Sequence, residues 1–348
     1  MLKFKPDFKQ AADRIEAWWH SEITDRVPVA VTAHKDPVRS LPEPLPGSIA
    51  ERWWRKDFVL EAAYSRLKSR VFKGEALPVF TPDLGAYVFS GFLGGEIIFS
   101  EQTTYVRSSN SLSDLSAVSM DPDNSYYRWL VDCLRKALKQ ARGTYLAGIP
   151  FLQNPLDCIL SLISFEELEA GIHTKRDLIE NAISSLQNIW ENVFAEFSSP
   201  LLKEYGGIPG PLSLFHRGTY HLIGLNIHSE QQIRTMLPLL KETVASVSSF
   251  LDRSLYRFDR PVFPEYVKAV LDIPSLTGIC IAGGSIDSTT EIAELAQQSG
   301  KCIYIILSRE EIQPALSRIA DSRGIMLSTT ARNEAEADTI INTAADFA

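Results

Sequence analysis

Two aspartates stand where short apolar runs end: Asp83 in Phe80-Thr81-Pro82-Asp83-Leu84-Gly85, and Asp259 directly after Ser254 to Phe258. A carboxyl group at the carboxyl end of a buried strand can hold a substrate N–H or act as a general acid or base. Each aspartate can also simply close a local turn, because Asp accepts hydrogen bonds from the backbone just ahead of it. His216, which ends Leu212 to His216, is a candidate proton shuttle, since imidazole titrates near neutral pH. Arg217 and Tyr220 follow it and offer a guanidinium and a ring that can pair with or stack on a planar acidic ligand. The run Ala282-Gly283-Gly284-Ser285 joins an apolar run to a helical pattern. Backbone N–H groups and a helix dipole at such a turn can hold a phosphate or carboxylate, although the same turn serves as a plain tight connection.

Other chemistries lack their residues. Cys133, Cys158, Cys280 and Cys302 show no CxxC or HxC spacing, and His216, His221 and His228 are not spaced to share one strand face, so neither a metal nor a cofactor is expected. No nucleophile elbow, HExxH helix or Ser-His-Asp order points to a hydrolase.

The elements that must position these residues are clearest at the end of the chain. Ser254 to Phe258, Gly278 to Ala282, Lys301 to Leu307 and Gly324 to Ser328 have the length and apolar content of buried strands. Helix-period segments alternate with them: Pro264 to Leu271, Ser288 to Gln298, Arg309 to Ala320 and Asn333 to Ala345. Such alternation implies a parallel sheet with right-handed crossovers. Ser288 to Glu291 and Ser308 to Glu311 read as capping boxes that open helices, and Gly300 and Gly324 fall where helices stop. Earlier strands are expected at Arg26 to Ala33, Ala76 to Phe80, Tyr145 to Ile149 and Leu212 to His216. Helices are expected at Asp7 to His20, Ser48 to Phe72, Tyr126 to Ala141 and Arg176 to Phe197. Pro37 to Pro46 and Gly94 to Ser116 are insertions, the second with a short hairpin. Trp18-Trp19 and Trp53-Trp54 are expected to turn at most one ring of each pair fully inward. The count is about eight strands, so a single α/β domain of (β/α)8 TIM-type barrel class over residues 1–348, with an N-terminal helical extension and loop insertions, is expected. A doubly wound open sheet has the same periodicity.

Of the 348 residues, 45% are hydrophobic and 22% charged, enough for a large core without disulfides or structural metal. The net charge of −8 is spread along the chain without a basic cluster, which argues against nucleic acid and anionic membrane as partners. No signal-peptide pattern and no long apolar window are visible, and the scattered thiols fit a reducing compartment; the expected location is cytoplasmic.

Several stretches together resemble the uroporphyrinogen decarboxylase superfamily, which also includes corrinoid methyltransferases. They are RIEAWWHSEITDRVPVAV (Arg14 to Val31), FTPDLGAYVFSGFLGGEIIF (Phe80 to Phe99), SFLDRSLYRFDRP (Ser249 to Pro261), VKAVLDIPSLTGICIAGG (Val267 to Gly284) and GIMLSTT with the helix after it. The resemblance implies a barrel whose mouth carries out cofactor-independent decarboxylation, or related chemistry, on an acidic and potentially tetrapyrrole small molecule. It aligns Asp83 with the aspartate that engages pyrrole N–H groups in the decarboxylases. It also implies, as an alternative, methyl transfer with a separate corrinoid protein as partner, and it favours a homodimer. The chain departs from the family in three places, one of them the apolar Tyr220 to Leu225 where family members carry a polar cluster, and these departures motivate the alternative of a catalytically inactive ligand-binding barrel. The arginine-rich RQAGR motif is replaced by RVPVAVTAHKDPVR, where His34, Lys35 and Arg39 supply positive charge, and the late strand reads YRFD without His-x-Cys.

Overall fold

The short Ile-, Leu- and Val-rich runs pair as strands because their backbone groups, removed from water on both faces, need partners that only a neighbouring strand supplies. The computed structural model describes residues 1–35, 45–227, 229–258, 262–319 and 321–347. Asp259, His228, Arg39 and most of the Pro37 to Pro46 insertion lie outside the described residues. In chain order the strands are β1 (Val29–His34), β2 (Arg70–Gly74), β3 (Val79–Phe80), β4 (Glu96–Phe99), β5 (Thr104–Arg107), β6 (Leu146–Ala147) and β7 (Ile208–Pro209). They continue with β8 (Phe215–His216), β9 (Tyr220–Gly224), β10 (Arg253–Phe258), β11 (Gly278–Ala282), β12 (Cys302–Ile306) and β13 (Ile325–Ala331).

Seven of these strands form the central sheet in the order β2-β1-β13-β12-β11-β10-β9. Every neighbouring pair is parallel except β1 and β2. β3 and β6 form a separate parallel pair, and the Ile149 N–H after β6 donates to the Pro209 carbonyl of β7 at 2.8 Å. About half of the chain is helical, in a mixed α/β single domain with one continuous hydrophobic core. No helix among the described residues is long and apolar enough to cross a membrane.

The four late strands form where expected, and Ser308 and Glu311 make the reciprocal capping contacts. The hairpin expected within Gly94 to Ser116 is β4 paired with β5, and all four cysteines are free and buried. Four expectations need correction. The helix placed over Ser48 to Phe72 is two helices, Ile49–Trp54 and Lys56–Lys68, followed by β2. Val71 and Phe72 leave the helix because they can bury against β1 there, and Gly74 ends the strand with its Cα hydrogen facing the Val29 carbonyl. The strand expected at Leu212 to His216 is a 3-10 turn plus the short β8, while the apolar stretch after Tyr220 supplies β9. The helix expected from Ser288 begins at Ile286, because Ser285 accepts the Ser288 N–H and caps it. Trp18 and Trp19 are both buried: helix Phe8–Trp19 lies across the amino ends of the strands, where the Trp18 Nε1–H reaches the Ile303 and Gly324 carbonyls and the Trp19 Nε1–H reaches the Phe215 carbonyl.

A buried charge cluster binds the N-terminal region to the β1–β2 edge. Glu75, fully buried, accepts from the Arg26 guanidinium at 2.7 and 2.9 Å and from the Val29 N–H at 2.7 Å, with Arg14 at 3.4 Å. Lys5, also buried, donates to the Phe72 and Gly74 carbonyls. Replacing Glu75 by Gln leaves the Arg26 cation buried without its counter-charge. It should therefore cost about 3–5 kcal/mol, read as a lower urea midpoint at unchanged slope, while the joint change Glu75→Leu/Arg26→Met should cost less than the single one.

His221, on β9, sits among the Phe151, Trp190 and Phe194 rings with Nε2 at 3.0 Å from the Leu152 carbonyl. Burial pulls its pKa down to about 4 from 6.5. Below pH 6.5 the unfolded chain takes up a proton that the folded chain refuses until about pH 4. Stability should therefore fall across that window, by roughly 3 kcal/mol from this group alone. Urea titrations at pH 7 and pH 4.5 should show a smaller difference for His221→Gln than for the wild type; an equal difference would remove His221 as the source.

Candidate functional site

The segment after β3 is built to present Asp83. Its Oδ1 accepts the Gly85 N–H at 2.7 Å, closing the turn expected of an Asp with glycine two residues on. Gly85 has φ +96°, and a Cβ there would meet the Thr104 side chain at 2.0 Å, so glycine is required on both counts. Asp83 faces an open recess of about 620 Å3. Helices Ile49–Trp54 and Lys56–Lys68 form one wall of the recess, the end of β3 forms another, and the β4–β5 tip from Ser100 to Gln102 covers the rim. Trp53 fastens that rim by donating from Nε1 to the Ser100 carbonyl at 3.0 Å and by packing on Phe99.

The recess has an apolar side with Trp53, Phe58, Ala62 and Phe80, and a charged side with Arg52, Arg66 and Arg70 beside Asp83. Asp83 is open to the recess, but protein surrounds the recess closely enough that burial raises its carboxyl pKa above the usual value. The Gly85 N–H and the Arg66 charge oppose that rise. Burial likewise lowers the pKa of Arg66; neighbouring Arg70 adds to the effect and Asp83 works against it. Among the described residues, Arg52, Arg66 and Arg70 have no side-chain hydrogen bond or ion pair. Arg14, Arg26, Arg217 and Arg309, by contrast, each close on a carboxylate. Unpaired guanidinium groups gathered in a concave site are a standing attraction for an anion.

A second polar arrangement joins the segments that follow β3, β6 and β9. Asp157 accepts the Asn226 N–H at 2.8 Å through Oδ1 and the Gln153 side chain at 3.3 Å through Oδ2. Ser90 donates to Gln153 at 2.7 Å, and Asn154, capping helix Pro155–Leu162, donates to the Gly224 carbonyl. Asn226 in turn donates to the Tyr87 hydroxyl, whose pKa burial and the nearby Asp157 raise. These bonds hold three loops at the carboxyl ends of their strands in one arrangement.

The other residues singled out in the sequence are dispersed. His216 lies in β8, ahead of the amino end of β9, buried, with Nδ1 at 2.9 Å from Glu16, and Arg217 pairs with Asp13. Both tie helix Phe8–Trp19 to the sheet, at the end opposite Asp83. Tyr220 is buried, and its hydroxyl donates toward the Pro211 and Leu214 carbonyls, so it faces the core rather than a ligand. Gly283 and Gly284, with φ +70° and +119°, and Ser285 form an exposed turn at the carboxyl end of β11. They do not line the Asp83 recess, and the Ser285 hydroxyl is engaged with the Ser288 N–H. Sequence reasoning missed Arg52, Arg66 and Arg70, whose only signal was the four arginines, Arg55 included, within Ser48 to Phe72 and the lack of an acid between Glu61 and Glu75.

Comparison of the chain with models of known protein families and with curated proteins found no match.

Proposed function

We propose that the chain is a (β/α)8-type barrel enzyme that acts on an acidic small molecule at the recess around Asp83, through decarboxylation or closely related proton-transfer chemistry. The observation that carries this reading is the company Asp83 keeps: a carboxyl with its pKa raised by burial, at the carboxyl end of a strand, beside arginines that have no other counter-charge among the described residues. The strand–helix order supports barrel closure, with β3 and β6 as a parallel pair that would bridge the sheet's edge strands, β2 and β9. The resemblance to the uroporphyrinogen decarboxylase superfamily implies the same barrel and the same place for Asp83.

The chemistry follows from those charges. The arginines hold the anionic part of the substrate that is retained. The bond from a substrate carbon to its labile carboxylate breaks, carbon dioxide leaves, and the electron pair stays on that carbon. Asp83 in its acid form donates a proton there and regains one from solvent. Because its pKa lies above the ordinary carboxyl value, the acid form persists to higher pH than an exposed aspartate would allow. Turnover that requires the acid form should fall as pH rises through that value.

Asp83→Asn keeps the oxygen that accepts the Gly85 N–H but cannot supply the proton. It should lower kcat by roughly 100- to 10,000-fold with an unchanged circular dichroism spectrum, in an assay of carbon dioxide release from small carboxylic acids and porphyrinogens. Wild-type turnover in Asp83→Asn would end this reading.

A further inference from the structure

Arg66 and Arg70 stand on a short backbone stretch that is fixed at both ends. Leu67 between them is buried in the core. Ser69, also buried, donates from Oγ to the Arg66 carbonyl at 2.9 Å, and its own carbonyl accepts the Lys35 N–H at 2.8 Å. Arg70 then begins β2, in register opposite His34 at the carboxyl end of β1. The two guanidinium groups therefore start from positions set by a helix end and a strand pairing, and both open into the recess. They are near enough that the Arg70 charge adds to burial in lowering the Arg66 pKa. Neither has an ion-pair partner among the described residues, and Asp83 is the carboxyl whose charge Arg66 feels.

Holding two like charges together without a counter-ion costs free energy, and a fold retains such an arrangement where a ligand repays that cost. One carboxylate neutralises one guanidinium. Two adjacent guanidinium forks, next to a carboxyl that burial keeps toward its neutral form, match a group carrying two negative charges. We infer that Arg66 and Arg70 form a clamp for one doubly charged group of the ligand, a phosphate or two carboxylates on one carbon, and that Arg52 and the Trp53–Phe58 side receive the remainder. The inference rests on reading the Asp83 recess as the ligand site.

The two sources of a dianion call for different probes. Inorganic phosphate, malonate and acetate are titrated into the full chain by calorimetry at constant ionic strength and at a pH where phosphate and malonate are doubly charged. The wild type should bind phosphate, malonate or both saturably, and at least tenfold more tightly than acetate; which of the two binds more tightly identifies the source. Arg66→Gln and Arg70→Gln should each weaken that binding at least tenfold, and Arg52→Gln should weaken it less. Both clamp residues are exposed, so unchanged circular dichroism in the variants is expected and serves as the folding control. Acetate binding as tightly as the dianions, and lost in Asp83→Ala, would overturn the clamp while leaving the acidic-ligand reading intact. Dianion binding that survives both arginine changes would also overturn the clamp. Absence of any anion binding would overturn both.

Discussion

Everything at the recess depends on one buried carboxylate. Glu75 is out of reach of water, and a charge in that position is tolerable only if fully compensated. Arg26 from the segment before β1 and the Val29 N–H at the start of β1 supply the compensation. Because Glu75 directly follows β2, satisfying it fixes where β2 lies along β1. That register sets Arg70 opposite His34. From Glu75 the chain needs only a few residues to reach β3 and Asp83, so a single ion pair far from solvent aligns both a recess arginine and the recess acid. The same cluster brings in Lys5 and Arg14, which explains how the N-terminal segment comes to be part of the fold.

The two ends of the parallel strands have different physical characters. At the amino ends polar groups are consumed: Trp18 and Trp19 donate to backbone carbonyls, His216 meets Glu16, and Arg217 meets Asp13. At the carboxyl ends the Asp157 network is satisfied internally and ties loops together, whereas the recess arginines are left without partners among the described residues. Interactions that are already satisfied hold a structure, and those left open at a concave surface are available to a ligand. In α/β folds with parallel strands the open end is the carboxyl end, because loops there are free of the ladder and can converge.

The legible parts of the sequence were those whose signal is local. β10 to β13 and their helices could be read because each strand and helix carries its own period within a few residues. β2 was hidden because Val71 and Phe72 continue an apolar period that suits a helix as well as a strand, and only pairing with β1 decides between them. β9 was hidden because Tyr220 to Gly224 is apolar on both faces, which resembles a core loop until β10 lies beside it. Asp83 was legible from its turn chemistry. His216 carried an equally suggestive pattern, but Glu16, some two hundred positions away, is its partner. The arginines of the recess look in sequence like those of any solvated helix, since the lack of a partner is a property of the folded surroundings.

The most direct test of the central claim, that the Asp83 recess is an anion site with unpaired arginines, is residue-resolved modification of arginine by a dicarbonyl reagent, read by mass spectrometry with and without anion. The account predicts that Arg52, Arg66 and Arg70 react early and that phosphate or malonate protects Arg66 and Arg70, while ion-paired, buried Arg26 stays unmodified in both cases. Equal reactivity of Arg66 and Arg70 with and without anion would contradict it.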